Sequence, residues 1–426
     1  MSDAFRTPRW FYVIIPFYAI QSGVGNFVKL YLLDLGGGVL SVGLAASVFS
    51  LALIPSAFIG GRLADFLGKR RPLLVLSAAG QLVCVLAISL TTNISAIISL
   101  YAVYSFFSSF SPTIFSLLLM DTVPKNRIGD GSALSFRYMI YGSVSGLILG
   151  VIILTMLPLR AVAFLPIGFS AVMFVLALFV VKDSDMPIER QAVAFTPEAL
   201  LSRLAHLPVV FLHVPKPEDI NMLVKATRNT LTRDIPLIMV TNALFFLGAN
   251  LFFTSYTPFL KANNLTYLEI TALDLFITVI NALASSQRFS GFSKKGDPAM
   301  IVEFLSLRAI AFLLGALASL YFIGHSVIYV TLLLYLLIGM AYTNITIGMN
   351  SLLYRFLPQD RQGSTLGIYS AINSIAMFLG SFLSGNISIA FGYPVTFLIS
   401  SVTLFSAASL FEWHFKPKRA LEGEPR

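Results

Sequence analysis

Long apolar runs alternate with short polar breaks along almost the whole chain. A helix that crosses a bilayer needs ~20 mostly apolar residues, and twelve runs meet that length. Six lie at residues 10–33, 39–61, 72–92, 96–120, 131–156 and 161–182. Six more lie at 236–260, 266–287, 299–322, 326–351, 363–391 and 394–415. The pattern predicts an all-α integral membrane protein with twelve transmembrane helices in two sets of six. The expected organisation is a first six-helix bundle over 1–182, a central loop over 183–234, a second bundle over 235–415 and a basic tail over 416–426.

Composition agrees with lipid as the main solvent. Of 426 residues, 57% are hydrophobic and 12% are charged, against roughly 25% charged in soluble proteins. The net charge of +9 sits in alternate loops and at the ends. Arg6 and Arg9 precede the first run; Lys69, Arg70 and Arg71 follow the second; Lys125 and Arg127 follow the fourth. Arg288, Lys294, Lys295, Arg355, Arg361, Lys416, Lys418 and Arg419 continue the series in the second half. The intervening loops hold little more than Asp34, Arg160, Lys261 and His325. By the positive-inside rule, both termini and the central loop are expected in the cytoplasm of a multi-pass cell-membrane protein. No basic stripe on a folded face is visible, so nucleic acid is not an expected partner. The single cysteine, Cys84, lies inside an apolar run and reads as a small buried or lipid-facing residue. The first run is too long for a signal-peptide core and reads as a span. Within the central loop, Ile220, Leu223, Val224, Thr227 and Leu231 recur at helical spacing behind Pro217-Glu218-Asp219. An amphipathic helix on the inner membrane face is expected there.

The two halves repeat each other. Pro124-x-x-Arg127-x-Gly129 recurs as Pro358-x-x-Arg361-x-Gly363, 234 residues later, and the same offset carries Gly146 to Gly380. A duplicated six-helix unit points to two bundles that rock about a central site. One loop stands out. Gly61-Arg62-Leu63-Ala64-Asp65-Phe66-Leu67-Gly68-Lys69-Arg70-Arg71 packs one acid, two glycines and a basic cluster between the second and third runs. Its counterpart in the second half, Ser290-Gly291-Phe292-Ser293-Lys294-Lys295, keeps the cations and has Ser290 where Asp65 would stand.

These features resemble the major facilitator superfamily over nearly the whole chain. The family's motif after its second helix, Gly-x-x-x-Asp-(Arg/Lys)-x-Gly-(Arg/Lys)-(Arg/Lys), is matched by Gly61, Asp65, Gly68, Lys69 and Arg70, with Phe66 in place of a cation. The resemblance implies a gate in which Asp65 faces the start of the eleventh helix near Gly363 and Ser364. A carboxylate there is favoured by unpaired amides and the helix dipole. It also implies that Lys69 pairs with Asp121 at the end of the fourth helix, and that this cluster holds the cytoplasmic side shut while the cavity opens outward. Two departures stand beside the match. The fourth run has no arginine between Tyr101 and Pro112, and the fifth carries Gly142, Gly146 and Gly150 without an exchanger's Gly-Pro signature.

Polar side chains inside spans are costly and mark function by default. The resemblance implies a cavity lined by the first, fourth, seventh and tenth helices with help from the second, fifth, eighth and eleventh, and the expected substrate-binding residues on these helices are Gln21, Asn26 just beside its face, Lys29, Tyr104, Ser108, Arg137, Tyr141, Asn242, Asn250, Asn281, Tyr335, Tyr342 and Asn373. Asp274, about nine residues into the eighth run, or ~13 Å along the helix, is the expected coupling residue. Arg308 of the ninth run lies at a similar depth. If the two pair, Asp274 is structural; if Asp274 faces the cavity, it carries a proton. No phosphate-binding loop, nucleophile–base motif or metal cluster is present in the sequence, so neither ATP, a cofactor nor an enzymatic reaction is expected.

The functional expectation is a monomeric secondary transporter that moves a small organic solute, polar or anionic, by alternating access, with protons or another ion as the coupling partner. Efflux of amphipathic compounds is the alternative within transport. A non-pumping transporter-like receptor or a lipid-handling protein on the same fold is the alternative outside it.

Overall fold

The apolar runs become helices because a chain in hydrocarbon must satisfy its backbone groups internally. The computed structural model of the protein describes residues 8–67, 69–123, 128–181, 234–286, 298–356 and 362–422. Twelve helical segments in these residues are long and apolar enough to cross a membrane, and they follow the twelve runs. The helix expected at 217–231, and Gly68, Arg127, Ser290 and Arg361, lie outside the described residues.

Local chemistry sets the ends. Asn93 caps the fourth span, its Oδ1 accepting from the amides of Ser95 at 2.9 Å and Ala96 at 3.2 Å. Thr266 and Glu269 form a reciprocal capping box on the eighth: the Thr266 amide donates to Glu269 at 2.7 Å, and the Glu269 amide donates to the Thr266 hydroxyl at 3.2 Å. Gly392 alone joins the eleventh span, Gln362–Phe391, to the twelfth, Tyr393–Glu422, at a φ of 84°. Only glycine takes that backbone state without a steric penalty. The fourth span is not one helix: it runs Ile94–Ser108, turns at Ser109 and resumes as Phe110–Thr122. Pro112 explains the break, since it removes an amide and crowds the carbonyl four residues earlier, that of Ser108.

Packing repeats between the halves. The first span lies along the fifth as the seventh lies along the eleventh. The third packs on the sixth as the ninth packs on the twelfth, and the second on the fourth as the eighth on the tenth. The repeat extends to atoms. A Cβ at Gly146 would lie 2.6 Å from the Ala19 carbonyl oxygen, and one at Gly380 would lie 2.5 Å from that of Leu247. Both glycines therefore let two backbones touch, the close approach that small residues give membrane helices.

The bundle has two faces. Both described chain ends lie at one, the terminal face, where Trp10 donates to the Thr122 hydroxyl at 3.0 Å and His414 meets Asp234 at 2.6 Å. At the distal face, Tyr31 donates to the Thr91 carbonyl at 3.0 Å and the Gly324 amide to Asn263 at 3.0 Å. Between the faces the outer surface carries exposed Val83, Phe164, Phe179, Tyr329 and Ile389. Apolar exposure on that scale fits a lipid-facing belt.

Candidate functional site

The two halves meet along two seams that are equivalent under the repeat: the second span against the eleventh, and the fifth against the eighth. Among the described side chains, their close contacts lie toward the distal face. A Cβ at Gly43 would sit 3.1 Å from Gly385 Cα and 3.2 Å from the Ser381 carbonyl oxygen. A Cβ at Gly150 would touch Thr271 Cγ2 at 3.7 Å. Asn26 donates to the Thr271 hydroxyl at 3.1 Å, and Tyr267 donates to Asp34 at 3.0 Å. Small residues and hydrogen bonds thus join the halves on that side.

At mid-depth the inner wall of the second half holds a cavity of about 240 Å³. It is bordered by residues near the middles of the seventh to eleventh spans. Asn250, Asn281, Arg308 and Tyr342 are its polar groups, set among Phe246, Phe253, Ile277, Ile338 and Met377. Arg308 comes from Pro298–Tyr321, the ninth span, and is 2% exposed. Four rings surround its guanidinium: Phe245 at 4.8 Å, Phe253 at 5.6 Å, and Phe312 and Tyr342 at 5.4 Å each. Its Nε and Nη1 have no hydrogen-bond acceptor, and the Asn281 Oδ1 has no donor.

The conditional pair of Asp274 and Arg308 does not form. No ion pair joins them, and the cation whose charge reaches Asp274 is Lys29 of the first span. Asp274 thus has electrostatic neighbours in both halves, Lys29 of the first and Tyr335 of its own. Tyr18 of the first span is likewise an electrostatic neighbour of Tyr342 of the tenth.

The expected substrate residues fall into three groups. Asn250, Asn281 and Tyr342 line the cavity. Others hold helices together: Asn242 donates to Asn373 at 2.9 Å, joining the seventh and eleventh spans, and both are buried. Tyr104 is buried and donates to Gln21 at 3.1 Å, whereas Ser108 is buried and bonds within its own helix, donating to the Ser105 carbonyl at 3.0 Å. Asn26 spans the seam, as described. Tyr335 is buried among rings, with Tyr256 at 5.7 Å and Phe253 at 6.3 Å. Arg137 and Tyr141 are exposed on the fifth span, Tyr141 with its ring 6.4 Å from that of Tyr138. Arg308 was legible in the sequence only as a partner for Asp274. Its position in a span that the family resemblance does not count as cavity-lining hid its access to the cavity.

At the terminal face, the acid ending the fourth span finds a cation of the loop after the second. Arg70 Nε lies 3.1 Å from Asp121 Oδ2, so the residue next to Lys69 meets the acid that the resemblance assigns to Lys69. Gly61 and Asp65 fall in the last turns of the second span, and Gly363 in the first turn of the eleventh. The side chain of Asp65 lies outside what the structure describes, so its meeting with the eleventh helix rests on the sequence.

Comparison with known proteins places this geometry. A family model described as Major Facilitator Superfamily matches residues 10–307 and 304–426. Multidrug resistance protein MdtG of Serratia proteamaculans (strain 568) is 30% identical over 190 residues. That stretch spans 44% of this chain and 44% of that protein, less than half the length of the relative. Among solved structures, a point variant of the nucleoside transporter NupG superposes with a TM-score of 0.72 at 13% identity, covering 96% of this chain and 99% of that one. A POT family transporter in complex with 5-aminolevulinic acid does so with a TM-score of 0.70 at 14% identity, covering 97% of each. At these identities the two structures share the fold.

Proposed function

Because the chain belongs to the Major Facilitator Superfamily, we propose that it is a secondary active transporter that carries a small organic solute, polar or anionic, by alternating access. The observation that carries this reading is the pairing of distal seams with a mid-depth cavity. Helices that touch through Gly43, Gly385 and Gly150 can part and close as rigid bodies, because glycine contacts hold no interlocked side chains. A solute bound at mid-depth is then exposed to one side at a time, as in transporters built from repeats. The organisation of 1–182 and 235–415 as the moving bundles, joined by 183–234, fits the packing repeat.

Proton coupling is supported by Asp274. It is placed at mid-span, and the charge of Lys29 from the other half acts on it, an interaction that depends on how the halves are arranged. Basic loops on the terminal face support a cytoplasmic position for both termini in the cell membrane. A monomer suffices, since both seams lie within one chain.

The test is uptake by proteoliposomes of a panel of labelled organic acids, nucleosides and neutral solutes, with and without an inward proton gradient. Gradient-driven accumulation of one class supports the proposal; equilibration with no accumulation of any solute favours the receptor or lipid-handling alternative. Efflux of amphipathic compounds is a second reading, favoured by the likeness to a multidrug resistance protein and by the aromatic walls of the cavity. Gradient-dependent extrusion of lipophilic dyes from inside-out vesicles would select it.

A further inference from the structure

We propose that Arg308 is the residue that receives the anionic group of the solute, and that the site takes a compact organic monocarboxylate. This rests on the transport reading of the same cavity. A buried guanidinium normally has a carboxylate partner, because an unpaired charge out of water is strongly disfavoured. Arg308 has none. In the second half Asp234 is held by His414, Glu269 by Thr266 and His325, and Glu303 and Glu412 are exposed. Asp274 is faced by Lys29. The four rings around Arg308 offset part of its dehydration through cation–π attraction. Rings accept no conventional hydrogen bond, and Nε and Nη1 keep donors without acceptors. A buried guanidinium that borders the cavity and keeps donors without acceptors matches a carboxylate.

The surroundings narrow the class. Among the described residues one cation faces the cavity, with the amides of Asn250 and Asn281 beside it. A monoanion is neutralised there; a dianion would leave a charge among Phe246, Ile277, Ile338 and Met377. Those walls instead suit an apolar body. The volume of about 240 Å³ lies below the roughly 300–1,000 Å³ of drug-sized sites, which favours acids the size of benzoate or hexanoate.

The test uses the full chain in nanodiscs, with benzoate and hexanoate as probes and benzamide and hexanamide as neutral matches. Calorimetry should show the acids binding and the amides not. Arg308→Met should weaken acid binding by about tenfold or more, the effect of losing a charge-assisted hydrogen bond. Arg308→Lys should keep part of the affinity, since the charge stays and the fork is lost. The melting temperature without ligand separates a receptor from a structural clamp. A receptor predicts that Arg308→Met melts as high as the parent or higher, because an unpaired buried charge is replaced by an apolar chain. The proposal is overturned if neither acid binds, if acids and amides bind alike, or if Arg308→Met melts lower and still binds acid. Flux distinguishes it from the reading beneath it. Acid binding that depends on Arg308, in a protein that accumulates no solute, sinks the transport reading and leaves the site. Gradient-driven transport of a neutral solute, equal in the parent and Arg308→Met, does the reverse.

Discussion

Gly43 and Gly385 meet where the second and eleventh spans cross toward the distal face, so closely that a Cβ on the first would lie 3.1 Å from the Cα of the second. Backbone is in contact with backbone, and no flexible side chain is available to yield. Gly43→Val therefore wedges the seam. Overpacking of this kind costs about 1–3 kcal/mol, which would move a two-state balance by about one to two orders of magnitude away from the distal-closed form. Cysteines introduced at Asn26 and Thr271 report it, since each is shielded in the seam and should gain reactivity toward a reagent added from the distal side. Unchanged labelling would mean the seam is not a gate.

Asn242 and Asn373 bond to each other at 2.9 Å, and a clasp predicts a different signature from a binding site. Replacing either by Ala should lower thermal stability slightly, and the double-mutant coupling should be near the ~0.6 kcal/mol average for such membrane pairs. Apparent substrate affinity should stay where it was. A large rise in KM with stability unaltered would put these amides in the binding site instead.

Asp274→Asn removes the only titratable carboxylate described within the middle of the eighth span while keeping its shape. If the carboxylate carries the coupled proton, uptake in the variant becomes independent of the imposed proton gradient, and exchange of solute across the membrane persists. Lys29→Gln should disturb the same pH profile, because Lys29 is the cation that acts on Asp274. A variant with the parent's pH profile would exclude Asp274 as carrier.

Asp65→Ala tests the gate that the family motif implies at the terminal face. The distal-sealed arrangement described above is the one in which that gate is not needed. Loss of the acid should populate this arrangement further, raising the reactivity of a cysteine placed at Asn250 toward reagents added from the terminal side. The Arg70–Asp121 pair nearby is partly exposed, and exposed pairs contribute about 0–1 kcal/mol. Asp121→Asn is accordingly expected to leave the melting temperature nearly unchanged. A loss of several degrees would make the pair structural.

Much of this protein follows from the order of its residues. The twelve spans were legible because hydrocarbon imposes one demand, a run of apolar residues long enough to cross it, and each run states that locally. The duplication was legible in Gly146 and Gly380, because close helix contact requires the same small residue in both copies. The break at Ser109 was less visible, since proline marks where a helix can yield without saying whether it does. Partnership was decided by the tertiary structure. Asn242 and Asn250 lie on the same span two turns apart, yet one is locked to Asn373 and the other borders the cavity. Similar depth made Asp274 and Arg308 candidates for a pair; in the fold no ion pair joins them, the charge of Lys29 acts on the first, and four aromatic rings surround the second. Hydropathy records how far a residue lies along a helix axis. Which neighbour it faces depends on how twelve such axes pack, and that is set by contacts between residues far apart in the chain.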